Sequence, residues 1–175
     1  MKTPILTILS AFLLATSFGG VSIVLPESPT AVERSAAEEL ADGIRRMTGV
    51  TPATVVEGGA ADGLRFYVGA TKAARALAPK DWKYDEVLVA PVADGVVCAG
   101  HPERGAIYAV DTYLERVCGV RWWTSTEDFY PALKKLPRPE RTIRHAPVFA
   151  YRETYYLDGY LDARFKVRSK GNFSS

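Results

Sequence analysis

The run GVVCAG, residues 95–100, is apolar from end to end. A strand with one wet face alternates in polarity, so an unbroken apolar run of strand length marks a strand covered on both faces. A chain containing it must also supply the covering layers. The tripeptide Ala93-Asp94-Gly95 just before it is a hairpin signal, joining a strand over residues 86–92 to one over 96–99. Pro102 suits the first position of a helix that follows, with Ile107, Val110, Leu114 and Val117 on one side and Gly119 as its stop.

A second amphipathic helix is predicted over residues 30–48. Thr30 and Glu33 make a capping box, and Gly49 is a suitable residue just past the end. Val32, Ala36, Leu40, Ile44 and Met47 form its buried stripe, while Glu33, Arg34, Glu38, Asp42 and Arg45 fall largely elsewhere. Shorter strands are expected over residues 21–25, 53–56, 64–68 and 120–123, and a short helix over 71–77. The order strand, helix, strands, helix, strand gives an α/β fold, a two-layer α+β sandwich with helices on one face of a mixed sheet. VEGGAADG, residues 56–63, has glycines but neither the lysine nor the helix start of a phosphate loop, and is read as a plain loop.

Apolar residues are 47% of the 175, enough for a core, and charged residues are 24%. A net charge of +2 with no basic stripe argues against nucleic acid as a partner. Lys2, the apolar run Pro4 to Phe18 and the small-residue pattern at Ala15-Thr16-Ser17 read as a secretion signal over residues 1–19. An exported protein of about 155 residues, periplasmic or secreted and without a membrane anchor after cleavage, is expected on that rule. Export permits a disulfide. Cys98 and Cys118, however, lie at opposite ends of a helix of roughly 20 Å, and a bridge needs Cα atoms within about 7 Å. Both are read as small buried apolar residues.

From residue 131 the character changes. PALKKLPRPERTIRHAP, residues 131–147, holds four prolines and many cations and reads as an extended connector. Residues 148–156 are aromatic and strand-like, and a short helix is expected over 162–170. This gives residues 20–130 as one domain, 131–147 as a connector and 148–175 as the start of a second.

Catalytic signatures are sparse. His101 and His145 have no neighbours at metal-binding spacing, and no cysteine pair, nucleophile elbow or phosphate loop is present, so no metal or organic cofactor is expected. Paired carboxylates suffice for glycoside hydrolysis, so the acidic residues are the remaining candidates. Glu38 and Glu39 read as a solvated helix face. Asp111 and Glu115, one turn apart, read as a surface ion-pair network with Arg104 and Arg116. Glu127 and Asp128 fall in a loop. Trp122 and Trp123, on a strand, should face opposite ways, one into the core and one toward solvent, ligand or another domain. Arg152 and Glu153 sit inside the aromatic run FAYRETYYLD, where a charge must be paired or used. An ion pair with the first domain and a substrate-binding arginine both fit.

Several segments together resemble a known family: IVLPESPTAVERSAAEELADGIRRMTG, FYVGAT, DGVVCAGHPERGAIYAVDTYLERVCGVRWWT and PVFAYRE. They are similar to the N-terminal α/β domain of bacterial α-glucuronidase-like glycoside hydrolases, a fold shared with the second domain of β-N-acetylhexosaminidases. The resemblance spans about residues 21 to 155. It implies that FAYRE opens a (β/α)8 barrel carrying the catalytic carboxylates, that Arg152 and Glu153 lie toward substrate, and that Arg104, Gly105, Tyr108, Trp122 and Trp123 serve core and interdomain packing. Most of that barrel lies outside these 175 residues. The expected function is a non-catalytic accessory domain of an exported glycoside hydrolase, inactive alone. The missing barrel, in cis or in trans, would be its partner, docking against Trp122, Trp123, Tyr151 and Tyr155. A free-standing carbohydrate-binding or interaction module is the alternative.

Overall fold

A computed structural model describes residues 19–153 and 156–172; the expected secretion signal lies, except for Gly19, outside them. In chain order the strands are β1 (Val21–Leu25), β2 (Ala53–Val56), β3 (Leu64–Val68), β4 (Val87–Val92), β5 (Gly95–Gly100), β6 (Arg121–Trp122), β7 (Asp128–Phe129) and β8 (Ile143–His145). The helices are α1 (Ala31–Thr48), α2 (Lys72–Leu77), α3 (Gly105–Arg116), α4 (Leu157–Leu161) and α5 (Ala163–Arg168). Six strands make one mixed sheet in the order β2-β1-β3-β5-β4-β8, and β6 and β7 form a separate ribbon. β2, β1, β3 and β5 run parallel, and β4 is antiparallel to both β5 and β8.

The capping box on α1 is complete. The Thr30 hydroxyl accepts from the Glu33 amide at 3.2 Å, and the Glu33 carboxylate accepts from the Thr30 amide at 2.8 Å. Gly49 closes the helix in the left-handed region at φ 75°. α1 and α3 lie side by side on one face of the sheet. Leu40, Ile44, Tyr113 and Leu114 meet Ile23, Phe66, Val68, Val96 and Cys98 there, with Phe66 and Tyr113 edge-on at 5.1 Å. The other face of β4 and β5 is covered by Ala74 of α2 and by Trp82, against Leu88, Val97 and Ala99. The α/β two-layer fold is therefore as expected, with α2 as a small extra cover on the second face. GVVCAG is buried on both sides, apart from a partly open Gly100.

Four local expectations change. First, α3 begins at Gly105 rather than near Pro102. The chain must first reverse tightly: His101 donates to the Glu86 carbonyl at 2.9 Å, and Gly105 to that of His101 at 2.7 Å. A Cβ on Gly105 would lie 2.3 Å from the Gly100 carbonyl carbon, so only glycine permits this approach. Second, the strand expected over 120–123 is only the two residues of β6, because the Val120 amide is used to close α3 on the Leu114 carbonyl.

Third, the connector crosses the body of the domain. Leu133 donates to the Met47 carbonyl, Leu136 is buried, and Tyr113 donates to the Pro137 carbonyl. Its end then pairs with β4 as the sixth strand. Proline bars helix and leaves carbonyls open to side-chain donors, which suits this extended path. Fourth, the described part of the aromatic run, residues 148–153, contains no strand. Its backbone bonds side chains instead: Arg152 N–H donates to Asn172, and the Phe149 carbonyl accepts from the Arg152 guanidinium. The helix expected over 162–170 is α5, capped by Asp162 on the Phe165 amide, and α4 precedes it. Cys98 and Cys118 are both free and buried. Burial pushes both thiols up, that of Cys118 to about 11. No helix among the described residues is long and apolar enough to cross a membrane.

Candidate functional site

Three of the singled-out residues, Arg104, Tyr108 and Arg152, gather around an acid that sequence reasoning missed. Asp85 precedes β4 with a left-handed backbone, φ 51°, which aspartate tolerates better than most side chains. Its carboxylate is fully buried between two guanidiniums. Oδ1 accepts from Arg104 Nε at 3.0 Å, and Oδ2 accepts from Arg152 Nη2 at 2.6 Å and Asn172 Nδ2 at 3.3 Å. Arg104 is the N-cap residue of α3, and its guanidinium also bonds and overlies Tyr84. Tyr108, one turn on, lies under the Arg152 guanidinium at 5.9 Å and donates to the Gly171 carbonyl at 2.9 Å. Burial foremost, with the Asp85 charge, pushes the Tyr108 hydroxyl up to about 12, so it stays a donor.

Arg152 is thus turned inward. Its Nε donates to the Lys170 carbonyl and Nη1 to that of Phe149, at 2.8 and 2.9 Å. Glu153 accepts from the Tyr151 hydroxyl. Of the two readings open for Arg152, the geometry realises the ion pair with the sheet domain. Next to Asp85, Glu86 accepts from Arg144 Nε at 2.7 Å and the Lys83 amide at 2.9 Å. Burial works to raise the Glu86 carboxyl, but those bonds outweigh it and hold it below its ordinary value. The sequence trace of its acids is the pair Asp85-Glu86 at a strand entrance. Both carboxylates are saturated by cations and amides. The joint ties residues 150–152 and 170–172 to the sheet domain.

A second cluster lies where α5 crosses α1 and α3. Glu39, expected on a solvated face, is buried and accepts from Arg164 Nε at 2.6 Å and Arg168 Nε at 2.8 Å. Glu38 is exposed, as expected. Asp111 is not part of a surface network with Arg104 and Arg116. It is fully buried, and neither carboxylate oxygen has a hydrogen-bond partner among the described residues. Burial first, then the Glu39 charge, pushes it up to about 8, so Asp111 is largely protonated at neutral pH. Glu115 pairs instead with Lys170 at 3.3 Å. The expectation failed because α5 covers Asp111, and nothing local in the helix pattern announces that cover.

Trp122 and Trp123 divide as expected. Trp122 packs on the core, donates to the Tyr130 hydroxyl at 3.0 Å and carries the Arg168 guanidinium at 5.0 Å. Trp123 is 62% exposed. With Trp122 committed inward, the pair does not offer two open rings. Asp128 takes a two-pronged contact from Arg46, at 2.6 and 2.5 Å. Tyr155, expected among the docking aromatics, lies outside the described residues, while Tyr151 is 63% exposed. No group of three or more His, Cys, Asp or Glu among the described residues could hold a metal ion.

No family model and no curated protein matches the chain. Solved structures match in fold. One is a novel family GH115 4-O-methyl-α-glucuronidase with specificity for decorated arabinogalactans, at a TM-score of 0.56 and 17% identity, with 75% of this chain covering 18% of that one. Another is the N-acetyl-β-hexosaminidase of Streptomyces plicatus, at a TM-score of 0.52 and 19% identity, with coverage of 76% and 23%. A third is the GH20 β-N-acetylhexosaminidase from Streptomyces coelicolor A3(2), at 0.50 and 18%, again covering 76% and 23%. At these identities the likeness is one of fold. The chain spans about a fifth of the length of these neighbours.

Proposed function

We propose that this chain is the non-catalytic N-terminal accessory domain of an exported, α-glucuronidase-like glycoside hydrolase acting on polysaccharide or oligosaccharide. The observation that carries the reading is the fold likeness to an α-glucuronidase and to β-N-acetylhexosaminidases, of which the chain spans only about a fifth. The Asp85 joint supports it, since that joint orients a following segment. So do open apolar side chains on either side of Arg152, namely Val148, Phe149, Tyr156, Leu157 and Leu161, each at least 70% exposed. A patch of that kind marks a docking surface, here for the catalytic barrel, in cis or in trans. In this reading two barrel carboxylates do the hydrolysis, and this domain seats the barrel's first segment.

The test is to sequence the source locus past codon 175 and to express the continuing frame with and without residues 20–147. Barrel sequence with two essential carboxylates, insoluble once the domain is removed, is the expected result. Turnover of an aryl α-glucuronide by the 175-residue chain alone, or a locus with no barrel in or beside the frame, overturns it.

A further inference from the structure

The sheet has a switch point between its adjacent parallel strands β1 and β3. The chain leaves β1 through α1, on one face, to reach β2, and leaves β3 through α2, on the other face. Open α/β sheets bind ligands in the crevice that such a divergence opens beyond the carboxyl ends of the strands. Here that crevice is a cleft of about 540 Å³ beyond Leu25, Val68 and Gly100, within the roughly 300–1,000 Å³ of ligand sites. Its walls include Glu27, Glu57, Lys72, Arg75, Trp82 and His101.

The usual occupant of a switch point is a phosphate on free backbone amides. That is barred here. Glu33 takes the amides of Thr30 and Ala70, at 2.8 and 2.7 Å, and Glu57 takes that of Lys72 at 2.6 Å. Gly69, at φ 82°, makes room for this: a Cβ there would lie 2.2 Å from Glu33 Oε1. The cleft is thus lined with carboxylates where an anion would need donors, and its two cations are already paired, Lys72 with Glu27 at 3.2 Å and Arg75 with Glu57 at 3.8 Å. What remains is a half-buried indole beside an open pair, Lys72–Glu27, and a pair whose cation alone is open, Arg75–Glu57. A pyranose fits that chemistry: its C–H face sits on the electron-rich face of an indole, and its hydroxyls both give and take hydrogen bonds.

We infer that the switch-point cleft binds a short neutral saccharide, stacked on Trp82 with its hydroxyls bonded to the Lys72–Glu27 and Arg75–Glu57 pairs. This site is separate from Trp122, Trp123 and the Asp85 joint, and it requires no barrel. The test is a tryptophan-fluorescence and saturation-transfer titration of the full chain with cellobiose, xylobiose and lactose, and with glucuronic acid and inorganic phosphate as anionic probes. At least one neutral disaccharide should bind, with neither anion competing. Trp82→Ala should weaken binding about tenfold or more. Lys72→Ala, at an exposed rim position that cannot upset folding, should weaken it several-fold with an unchanged circular-dichroism spectrum. Trp123→Ala should leave it unaltered. Binding by none of the three disaccharides, competition by either anion, or dependence on Trp123 rather than on Trp82 and Lys72 overturns the inference. None of these outcomes bears on whether the chain belongs to a glycosidase.

Discussion

Between β1 and α3 the buried side chains are mostly apolar, with the acids Glu33, Glu39, Asp85, Glu86 and Asp111 among them, whereas from Arg152 to Asn172 the contacts back to that body are made chiefly by arginines, a lysine and an asparagine. In the first region a parallel ladder is sealed on both sides by aliphatic and aromatic packing. In the second, α4 and α5 bury almost nothing of their own, and Val167 is their one contribution to the main core. They are held by Arg164 and Arg168 on Glu39 and Asp42, by Lys170 on Glu115, and by Arg152 and Asn172 on Asp85. Apolar burial carries no titrating charge and is not screened by salt, and ion pairs both titrate and are screened. The sheet domain therefore rests mainly on burial, while the tail keeps its place only as long as the charges opposite it do.

The comparison breaks most severely at Gly105. Gly105→Ala sets a Cβ against the Gly100 backbone and is expected to cost about 3 kcal/mol or more, which a thermal-unfolding midpoint will read as collapse of the sheet domain and the tail together. Asp111 gives the next effect. Folded, it holds its proton up to about pH 8; unfolded, it releases it near 3.8. Between those values the folded state binds the extra proton, so stability is fully present below the lower value and is lost as pH rises through the upper one. The slope is at most about 1.4 kcal/mol per pH unit. Urea midpoints should fall from pH 5 to pH 8, and Asp111→Asn should flatten that fall. A midpoint that does not fall over this range would show Asp111 to be ionised. At acid pH the sign reverses for Glu86, Asp42 and Asp128, whose carboxyls are held low despite burial by Arg144, by Arg164 and Arg45, and by Arg46. Their contribution is lost as pH drops below the ordinary carboxylate range.

Asp85→Asn sharpens the contrast instead of abolishing the fold. Both arginines reach solvent in part, at 29% and 21% exposure, so the loss should be about 2 kcal/mol rather than that of a wholly buried pair. Hydrogen exchange should quicken over residues 150–172 and stay unchanged in β1, β3 and β5. Equal quickening in both regions would show that they fold as one unit. Arg164→Ala is the mildest, at about 1 kcal/mol, because its side chain is 50% exposed and Glu39 keeps Arg168; it should show as faster proteolysis within α5 that raised salt reproduces in the unaltered chain.

Much of the first region was legible in the sequence. Thr30, Glu33 and Gly49 mark both ends of α1, the unbroken run GVVCAG gives a doubly covered strand, and Ala93-Asp94 turns β4 into β5. The charged sites were not legible. Glu39 and Asp111 have the helical spacing of ordinary surface acids, Asp85 looks like a loop residue, and β8 hides in a proline-rich run that satisfies a sheet edge only because that edge is there.

What the sequence determined by itself was where the chain is helix, strand or turn from β1 to α3, because capping, periodicity and turn chemistry act among residues only two to four positions apart. Which charges are buried, and whom they face, was decided by the tertiary structure. A carboxylate's surroundings depend on the segment laid over it, and for Glu39 that segment arrives 125 positions later with Arg164.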